Sequence, residues 1–415
     1  MKTRRSLFLA FLVTALVTAG SPHAAASVND DPGPGCQFVE VPVPLSVVEE
    51  QMLPAPGAGT LAADGASAFT IHGRLCLPKG KKPTTVMLAM HGITYTNSYW
   101  NVDLEPETYN FSRYLTKAGY AVFSIDRLGH GKSSKPPSAL VTLDAHAEVA
   151  HQLIGKLRAG EIGGTKFGKV VLVGYSYGSA TSLRESSKYN DADAVIATAW
   201  GNTFQNRALA RVFATFTPAQ LDPRFADRPL GDLTLGPSGR EQNFFYDLSN
   251  VDPKILNYAR TQLADTLSFG EAMSFYPRFG AIPLAYAPQS SDEVELPQSD
   301  NTSRIAIPTF LVNGNFELFF CGADQKHCTS SQQLQLSESK YYSAASCFRA
   351  AVIPNSGHNL NLQRNAPFAF QTIRTFADQV LGPDGRKAAS YRATCRAISG
   401  PHVDPGPAKF GALGG

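Results

Sequence analysis

The sequence predicts an α/β fold whose mostly parallel central sheet carries helices on both faces. Two observations indicate this class. A strand with one solvent-exposed face alternates apolar and polar residues, and apolar runs such as KVVLVGYS at 169–176 lack this alternation. We therefore predict strands that are buried on both faces. Segments with apolar residues at helical spacing, such as TLDAHAEVAHQLIGKLRAG at 142–160, alternate with these runs. Strands that alternate with helices are typical of parallel sheets with crossover connections.

In chain order, the elements begin with two strand-like runs that we expect to pair as neighbours, QFVEVPVPL at 37–45 and FTIHGRLCL at 69–77. Strands and helices then alternate up to residue 201. The predicted strands are TTVMLAMHG (84–92), AVFSIDRLGHG (121–131), KVVLVGYS (169–176) and DAVIATAWG (193–201), and the predicted helices are NFSRYLTKAGY (110–120), TLDAHAEVAHQLIGKLRAG (142–160) and SATSLRESSKY (179–189). We therefore place the first part of a core domain at 27–201.

The alternation stops at 202–303, where proline and aromatic residues accompany helix-like patches such as ALARVFATF (208–216) and KILNYARTQLADTLSFGEAMSFY (254–276). It resumes at 304–398 with strand RIAIPTFLVNG (304–314), helix LSESKYYSAAS (336–346), strand CFRAAVIPN (347–355) and helix NAPFAFQTIRTFADQVL (365–381). We expect 202–303 to form a helical lid inserted into a single core domain. Residues 399–415, which are rich in glycine and proline, are expected to form a disordered tail.

The first 26 residues have the pattern of an export signal. A basic start is followed by an apolar run from Leu7 to Ala19 and by small residues that end at Ala26. This pattern predicts cleavage after Ala26, a secreted protein and no stable membrane anchor after cleavage. The pair Arg4-Arg5 also resembles a twin-arginine signal, so the sequence leaves the export route open.

Charge argues against polyanionic partners. The predicted signal carries Lys2, Arg4 and Arg5 and no acid, so the remaining chain has 34 basic and 34 acidic side chains. A formally neutral chain without a basic stripe is not expected to bind nucleic acid or an anionic membrane surface.

The six cysteines all follow the predicted signal, and an even number in an exported chain predicts three disulfides, for which 15 pairings exist. No CxxC or HExxH spacing suggests a metal site. Cys321 and Cys328 are close in sequence, and Cys36 and Cys76 flank the two strands that we expect to pair. These considerations favour Cys36–Cys76 and Cys321–Cys328, which leaves Cys347–Cys395.

The motif GYSYG at Gly174–Gly178 places Ser176 between a predicted strand and a predicted helix. Small residues around a serine allow a tight turn that exposes its hydroxyl and directs the next backbone N–H, that of Tyr177, toward a developing oxyanion. The alternative is an ordinary glycine-rich corner. A serine nucleophile also requires a base and an acid that orients the base.

His358 is the predicted base, because SGHNLNL follows a strand while His327 lies beside Cys328 and His402 lies in the tail. Glu317 is the predicted acid, three residues after Gly314 at the end of the preceding strand, and Asp324 is the alternative. The second oxyanion donor is expected to be the amide of Ile93, after His91-Gly92. His91 itself is expected to be structural.

The segment DRLGHGKS resembles the end of a phosphate-binding loop, but Asp126 stands where that loop requires glycine. We therefore do not expect nucleotide binding. Asp126 and His130 are expected to hold the loops around the site.

Together, HG, DRLGHGKS, GYSYG, NGNFE and SGHNLNL resemble the α/β-hydrolase superfamily over about residues 70 to 385. The export signal and the FFCG…C segment resemble secreted microbial serine hydrolases of this fold. Two features depart from the pattern. The acid is glutamate where many members have aspartate, and the HGGG run of many lipases and carboxylesterases is absent, which argues against a simple lipase.

The resemblance and the motifs imply acyl transfer through Ser176, without a metal or an organic cofactor. The expected substrate is a small ester or lactone with a hydrophobic group, because nine of the 25 phenylalanines lie between Gly201 and Asp300, where lid aromatics are candidates for lining a pocket. The alternatives are a secreted peptidase or amidase with the same triad, a carbon–carbon bond hydrolase, and a non-catalytic binding protein of this fold. The oligomeric state and the natural substrate stay open at this stage.

Overall fold

The computed structural model describes residues 31–45, 67–80, 82–242, 244–278, 293–295 and 302–398. The predicted signal at 1–26 and the predicted tail at 399–415 lie outside these ranges. Within them, no helix combines the length and the apolar character that crossing a membrane requires.

The centre of the fold is a sheet of eight strands in the order β1-β2-β4-β3-β5-β6-β11-β12. β1 and β2 are antiparallel, β2 is antiparallel to β4, and every other pairing is parallel. The expected pairing of the first two strands and the mostly parallel sheet are both confirmed. The strands of this sheet are β1 (Cys36–Leu45), β2 (Ser67–Cys76), β3 (Thr85–Met90), β4 (Ala121–Ile125), β5 (Lys169–Tyr175), β6 (Ala194–Thr198), β11 (Thr309–Gly314) and β12 (Arg349–Ile353).

Both faces of the sheet are covered by helices, as the unbroken apolar runs predict. Along β3, Val86 and Leu88 belong to one buried cluster, whereas Met87 and Ala89 belong to another, because successive side chains of a strand point to opposite faces. α3 (Leu143–Ala159) and α4 (Tyr177–Lys188) contribute to the first cluster, and α1 (Pro106–Tyr109), α2 (Phe111–Lys117) and α10 (Ala366–Val380) contribute to the second.

Local signals in the sequence set the ends of the longest helix. At the start of α3, the Thr142 hydroxyl accepts a hydrogen bond from the amide of Ala145, which would otherwise have no acceptor within the helix. At its end, Gly160 adopts φ 81°, a left-handed conformation that glycine takes without strain. Both ends agree with the predicted helix at 142–160.

Between β6 and β11 the chain forms short elements. The helix-like patch at 254–276 is two helices, because the backbone of the intervening residues bonds elsewhere: the Asp265 amide donates to the Thr94 carbonyl at 2.8 Å, and the Thr94 amide donates to the Thr266 carbonyl at 3.0 Å. The elements are β7 (Thr203–Gln205), α5 (Asn206–Phe213), β8 (Phe216–Pro218), β9 (Leu233–Leu235), α6 (Pro237–Gln242), α7 (Pro253–Thr261), α8 (Phe269–Arg278) and β10 (Glu293–Glu295).

The predicted helix at 336–346 is largely wrong. α9 spans Ser331–Glu338, and the chain then continues as two short 3-10 turns. Tertiary hydrogen bonds explain the difference, since the Thr302 hydroxyl donates to the Tyr341 carbonyl and the Ser343 hydroxyl donates to the Ile305 carbonyl. These contacts hold the segment against the turn that precedes β11.

Three disulfides join the same cysteine pairs that the sequence favours. Cys36–Cys76 links directly opposite positions of β1 and β2, and Cys321–Cys328 closes the loop after β11. Cys347–Cys395 attaches a final helix, α11 (Ala388–Ile398), to the segment before β12. No helix is expected from the sequence at α11.

Candidate active site

Ser176 occupies a strained turn between β5 and α4. Its backbone has φ 53° and ψ −117°, a conformation that non-glycine residues rarely adopt. Neither Gly174 nor Gly178 has a positive φ, so the unusual conformation belongs to the serine itself. An ordinary glycine corner would put it on a glycine.

The flanking glycines are required for space rather than for backbone freedom. A Cβ on Gly174 would lie 2.3 Å from the Ser179 nitrogen, and one on Gly178 would lie 2.1 Å from the Met90 carbonyl oxygen. Both distances are far below van der Waals contact with rigid backbone. Only glycine therefore fits on either side of Ser176, because Gly174 packs against the start of α4 and Gly178 packs against the end of β3.

His358 and Glu317 are hydrogen-bonded in the interior. His358 Nδ1 lies 2.8 Å from Glu317 Oε2, and the second carboxylate oxygen accepts a hydrogen bond from the Phe319 amide at 2.8 Å. The Glu317 side chain is fully buried, and the imidazole is 3% exposed. Asp324, the alternative acid, is instead exposed within the loop that Cys321–Cys328 closes.

Aromatic rings surround the imidazole of His358. Ring centroids of Phe319, Tyr175 and Phe245 lie 4.9, 5.2 and 5.5 Å from that of His358. Tyr175 directly precedes Ser176, so the imidazole contacts the residue next to the strained turn. An apolar wall around an imidazole limits its access to water and strengthens electrostatic interactions there.

The loop after β3 packs against Ser176 with a fixed peptide orientation. A Cβ on Gly92 would lie 2.9 Å from the Ser176 Cβ. The Gly92 carbonyl accepts hydrogen bonds from His91 Nδ1 at 2.8 Å and from Arg127 Nη2 at 3.2 Å. The N–H of a trans peptide points opposite to its C=O, so these two contacts also set the direction of the Ile93 amide.

His91 serves this loop as a neutral, buried side chain. Its Nε2 accepts a hydrogen bond from the Arg127 amide at 3.0 Å, so Nδ1 carries the proton that is donated to Gly92. Burial and the nearby Arg127 charge hold the pKa of His91 well below its usual value. These contacts suit the structural role that the sequence analysis expects.

Tyr177 is the first residue of α4. The first N–H groups of a helix point beyond its start, so the Tyr177 amide is directed out of α4. Its buried ring lies under Arg127, whose guanidinium carbon is 5.0 Å from the ring centroid. One arginine thus contacts both segments that carry the expected oxyanion donors.

A chain of polar groups that the sequence analysis does not identify runs past His358. The Tyr175 hydroxyl donates to Asn359 Oδ1, Asn359 Nδ2 donates to the Tyr95 hydroxyl at 2.9 Å, and the hydroxyls of Tyr95 and Tyr246 lie 3.1 Å apart. Asn359 directly follows His358, which is the only local signal for its place. Tyr95 and Tyr246 are 151 residues apart, so no local pattern indicates their contact.

Asp126 holds two neighbouring loops, in keeping with its expected role. Its Oδ1 accepts from the Asn97 amide at 2.7 Å, and its Oδ2 accepts from the Lys132 amide at 2.8 Å. His130 lies deeper, 3.0 Å from both carboxylate oxygens of Glu271 in α8. Residues of the segment between β6 and β11 therefore contact the loop after β4.

Two groups among the described residues have donor atoms close enough to share one metal ion. In the group formed by His130, His146 and Glu271, Arg127 Nη1 already contacts His146 and Glu271, so a metal would compete with a guanidinium. Burial and Arg127 lower the pKa of His146 to about 4, which keeps its imidazole neutral. The second group is His151, Glu185 and Asp191, away from the residues described above.

Comparison with known proteins agrees with the fold. A family model described as the Alpha/beta hydrolase family matches residues 86–371. A putative hydrolase from Rickettsia typhi is 12% identical, with a TM-score of 0.50 over 82% of this chain and 99% of that chain. A thermophilic esterase from Thermogutta terrifontis is 16% identical, with a TM-score of 0.48 over 77% of this chain and 96% of that chain.

One sequence relative is a probable lysophospholipase, BODYGUARD 1, from Arabidopsis thaliana. It is 32% identical over 77 residues, which are 19% of this chain and 16% of the relative, so the match spans about a sixth of that protein. The family match covers most of the chain, from β3 to α10, and includes Ser176, Glu317 and His358. The chain belongs to the alpha/beta hydrolase family.

Proposed function

We propose that this protein is a secreted serine hydrolase that cleaves the carboxylic ester or lactone bond of a hydrophobic small molecule through an acyl-enzyme on Ser176. The hydrogen bond between buried Glu317 and His358, beside a serine with φ 53°, carries this proposal. A serine hydroxyl needs such a base to become a nucleophile. Membership of a hydrolase family supports the same reaction class.

In the first step, His358 Nε2 removes the hydroxyl proton of Ser176 as Oγ attacks the carbonyl carbon. Glu317 accepts the Nδ1–H bond, which keeps Nε2 free as the base and stabilises the imidazolium that forms. The carbonyl π electrons move onto oxygen. The amides of Tyr177 and Ile93 are the proposed donors to this oxyanion, and such donors stabilise the transition state more than the substrate.

In the second step, the oxyanion collapses and the alkoxy leaving group takes the proton from His358 Nε2. The acyl group is then bound to Ser176 Oγ. Water then gives a proton to His358 Nε2 as it attacks the acyl carbon. The second oxyanion collapses, the bond from the acyl carbon to Ser176 Oγ breaks, and Oγ takes the proton from His358, which releases the carboxylic acid and restores free serine. The protons and electrons balance without any group beyond these residues and water.

The decisive variant is Ser176→Ala, assayed on aryl and alkyl esters and lactones. Turnover should fall by roughly 10⁴-fold or more. Ser187→Ala on the same helix is a matched control, because its hydroxyl donates only to the Arg184 carbonyl one turn away, and it should retain activity. Full ester hydrolysis by the Ser176 variant would overturn the proposal.

A substrate panel separates the alternatives. Faster cleavage of aminoacyl amides than of esters would reassign the protein to the peptidases. Failure of a fluorophosphonate to label Ser176 in the folded protein would instead favour a non-catalytic binding protein.

Secretion is part of the proposal. Three disulfides are typical of proteins that fold outside the reducing cytosol. N-terminal sequencing of the protein recovered from culture medium should start at Ser27, and retention of the full chain inside the cell would contradict export.

A further inference from the structure

A cavity of about 40 Å³ lies next to Phe245, whose ring contacts the proposed base. Its lining includes Thr94 and Tyr95 from the loop after β3, and Phe245, Tyr246 and other residues from the segment between β6 and β11. The Phe245 ring also contacts the His358 ring. The cavity is therefore separated from the imidazole by the Phe245 ring, and its volume suits a group of a few atoms rather than a whole ligand.

We propose that this cavity receives an oxygen-bearing end of the unreactive part of the substrate, and that Tyr246 donates a hydrogen bond to that oxygen. The substrate class is then an ester or lactone whose acyl or alkoxy group contains a keto, ether, hydroxyl or carboxyl oxygen. This inference rests on the proposed function and narrows its substrate.

The orientation of the Asn359 side-chain amide is set by its two tyrosine partners. The Tyr175 hydroxyl is buried and donates to Asn359 Oδ1. Since the amide oxygen accepts this proton, the amide nitrogen is directed at Tyr95, to which it donates at 2.9 Å. The opposite amide orientation would place an N–H against Tyr175 and take away the acceptor that satisfies its buried hydroxyl.

Tyr95 and Tyr246 carry two hydroxyl protons between them. Burial raises the pKa of Tyr95 and raises that of Tyr246 well above its usual value, so both hydroxyls stay protonated at neutral pH. The Tyr95 oxygen already accepts from Asn359, and the hydrogen bond between the two tyrosines uses one of their two protons. One hydroxyl proton of the pair is therefore left to donate.

The exposure and contacts of the two tyrosines indicate which hydroxyl keeps the proton that is not used between them. Tyr95 is 5% exposed and is held by Asn359, whereas Tyr246 is part-exposed. If Tyr95 donates to Tyr246, Asn359 and Tyr95 each accept one hydrogen bond and donate one along the chain, and such chains polarise and strengthen their members. Tyr246 then ends the chain with a free donor in the cavity lining.

The cavity does not supply its own acceptor through Asp265, the carboxylate in its lining. Asp265 Oδ2 accepts from the Gly131 amide at 2.7 Å, and Oδ1 is paired with Arg228. A substrate oxygen that enters the cavity would replace water as the acceptor for part-exposed Tyr246. The aromatic wall of Phe245 beside it suits the carbon skeleton of the same group.

The test compares matched esters of equal chain length, in which one CH₂ is replaced by a keto carbonyl or an ether oxygen. One series varies the acyl group and the other the alkoxy group. In at least one series, kcat/KM of the wild type should favour the oxygen-bearing ester by about tenfold, since an unmatched buried donor is costly. Tyr246→Phe should bring that ratio close to one.

Tyr114→Phe is the control variant, because Tyr114 lies in α2 and packs on Phe370 away from the cavity, and its ratio should equal that of the wild type. Both rates come from one preparation, so partial unfolding of a variant cancels in the ratio. A ratio near one in the wild type, or an unchanged ratio in Tyr246→Phe, would overturn the inference.

Binding separates this inference from the reaction itself. Calorimetry with Ser176→Ala and the matched ketone analogues of the same esters measures the preference for the added oxygen without turnover. A preference that Tyr246→Phe removes supports the donor even if no ester is cleaved, in which case the proposed function fails alone. Equal affinities for both analogues, together with ester hydrolysis by the wild type, overturn the donor alone.

Discussion

Arg127 and Glu271 form an ion pair in the interior, with side chains that are 1% and 0% exposed. Although burial opposes its ionisation, Arg127 and His130 hold the pKa of Glu271 well below its usual value. The same guanidinium donates to the carbonyls of His91 and Gly92 beside Ser176. The Arg127 side chain therefore links the Glu271 carboxylate of α8 to the peptide that bears the proposed Ile93 oxyanion donor.

Removing the charge of Glu271 should be strongly destabilising. Glu271→Gln leaves the Arg127 cation buried without its counter-ion, and breaking a buried pair in this way costs about 3–5 kcal/mol. Urea unfolding measures the loss. Glu107→Gln is the control, because the ion pairs of Glu107 with Arg113 and Lys117 are exposed and screened by solvent. The urea concentration at its unfolding midpoint should equal that of the wild type. Equal midpoints for both variants would contradict the importance of the buried pair.

Replacing the proposed acid should lower kcat far more than it lowers stability. In Glu317→Gln the amide no longer stabilises an imidazolium or selects the Nδ1–H tautomer of His358, so kcat on esters should fall by roughly 10³-fold or more. Asp324→Asn should retain full activity, because Asp324 is exposed. A larger loss at Asp324 would reverse the assignment of the acid.

A methyl group at Gly178 should disrupt the turn around Ser176. The added Cβ would lie 2.1 Å from the Met90 carbonyl oxygen, and overpacking of this kind costs roughly 1–3 kcal/mol and shifts the backbone. Ester hydrolysis and the melting temperature of Gly178→Ala should both fall.

Gly155→Ala is the matched control for Gly178→Ala. Gly155 lies within α3, where a Cβ would meet nothing within 4 Å, so alanine should raise stability by about 0.5–1 kcal/mol and leave activity unchanged. Similar losses in both variants would contradict a specific contact at the turn.

Glu185 should make the protein less stable as pH rises. Burial and the neighbouring Asp191 raise its pKa to about 10 in the folded state, so folding takes up a proton above the unfolded value of about 4.5. Glu185→Gln has no such proton to take up. The free energy of unfolding of Glu185→Gln minus that of the wild type, measured in urea at pH 5, 6.5 and 8, should therefore increase with pH. The increase should be up to about 1.4 kcal/mol per pH unit. A constant difference would contradict the raised pKa.

The sequence predicts most of the fold because its signals are local. Continuous apolar runs at β3, β5 and β11 and helical spacing at α3 and α10 depend only on neighbouring residues, and the structure has these elements in the expected order. The prediction is wrong where distant hydrogen bonds compete with helix formation. The segment after α9 is such a place, since Thr302 and Ser343 attach it to the turn before β11.

The sequence by itself also indicates a tight turn at Ser176, since the strand, the flanking glycines and the helix follow one another in the chain. It leaves an ordinary glycine corner as the alternative, and the positive φ of Ser176 in the structure decides against that alternative. The sequence leaves Glu317 and Asp324 as competing acids, and only the tertiary structure brings Glu317 to His358. The Arg127–Glu271 pair and the Tyr95–Tyr246 contact join residues 144 and 151 positions apart. Tertiary structure alone decides such contacts. They form only when the segment between β6 and β11 packs onto the core and brings residues that are distant in sequence into the same buried region.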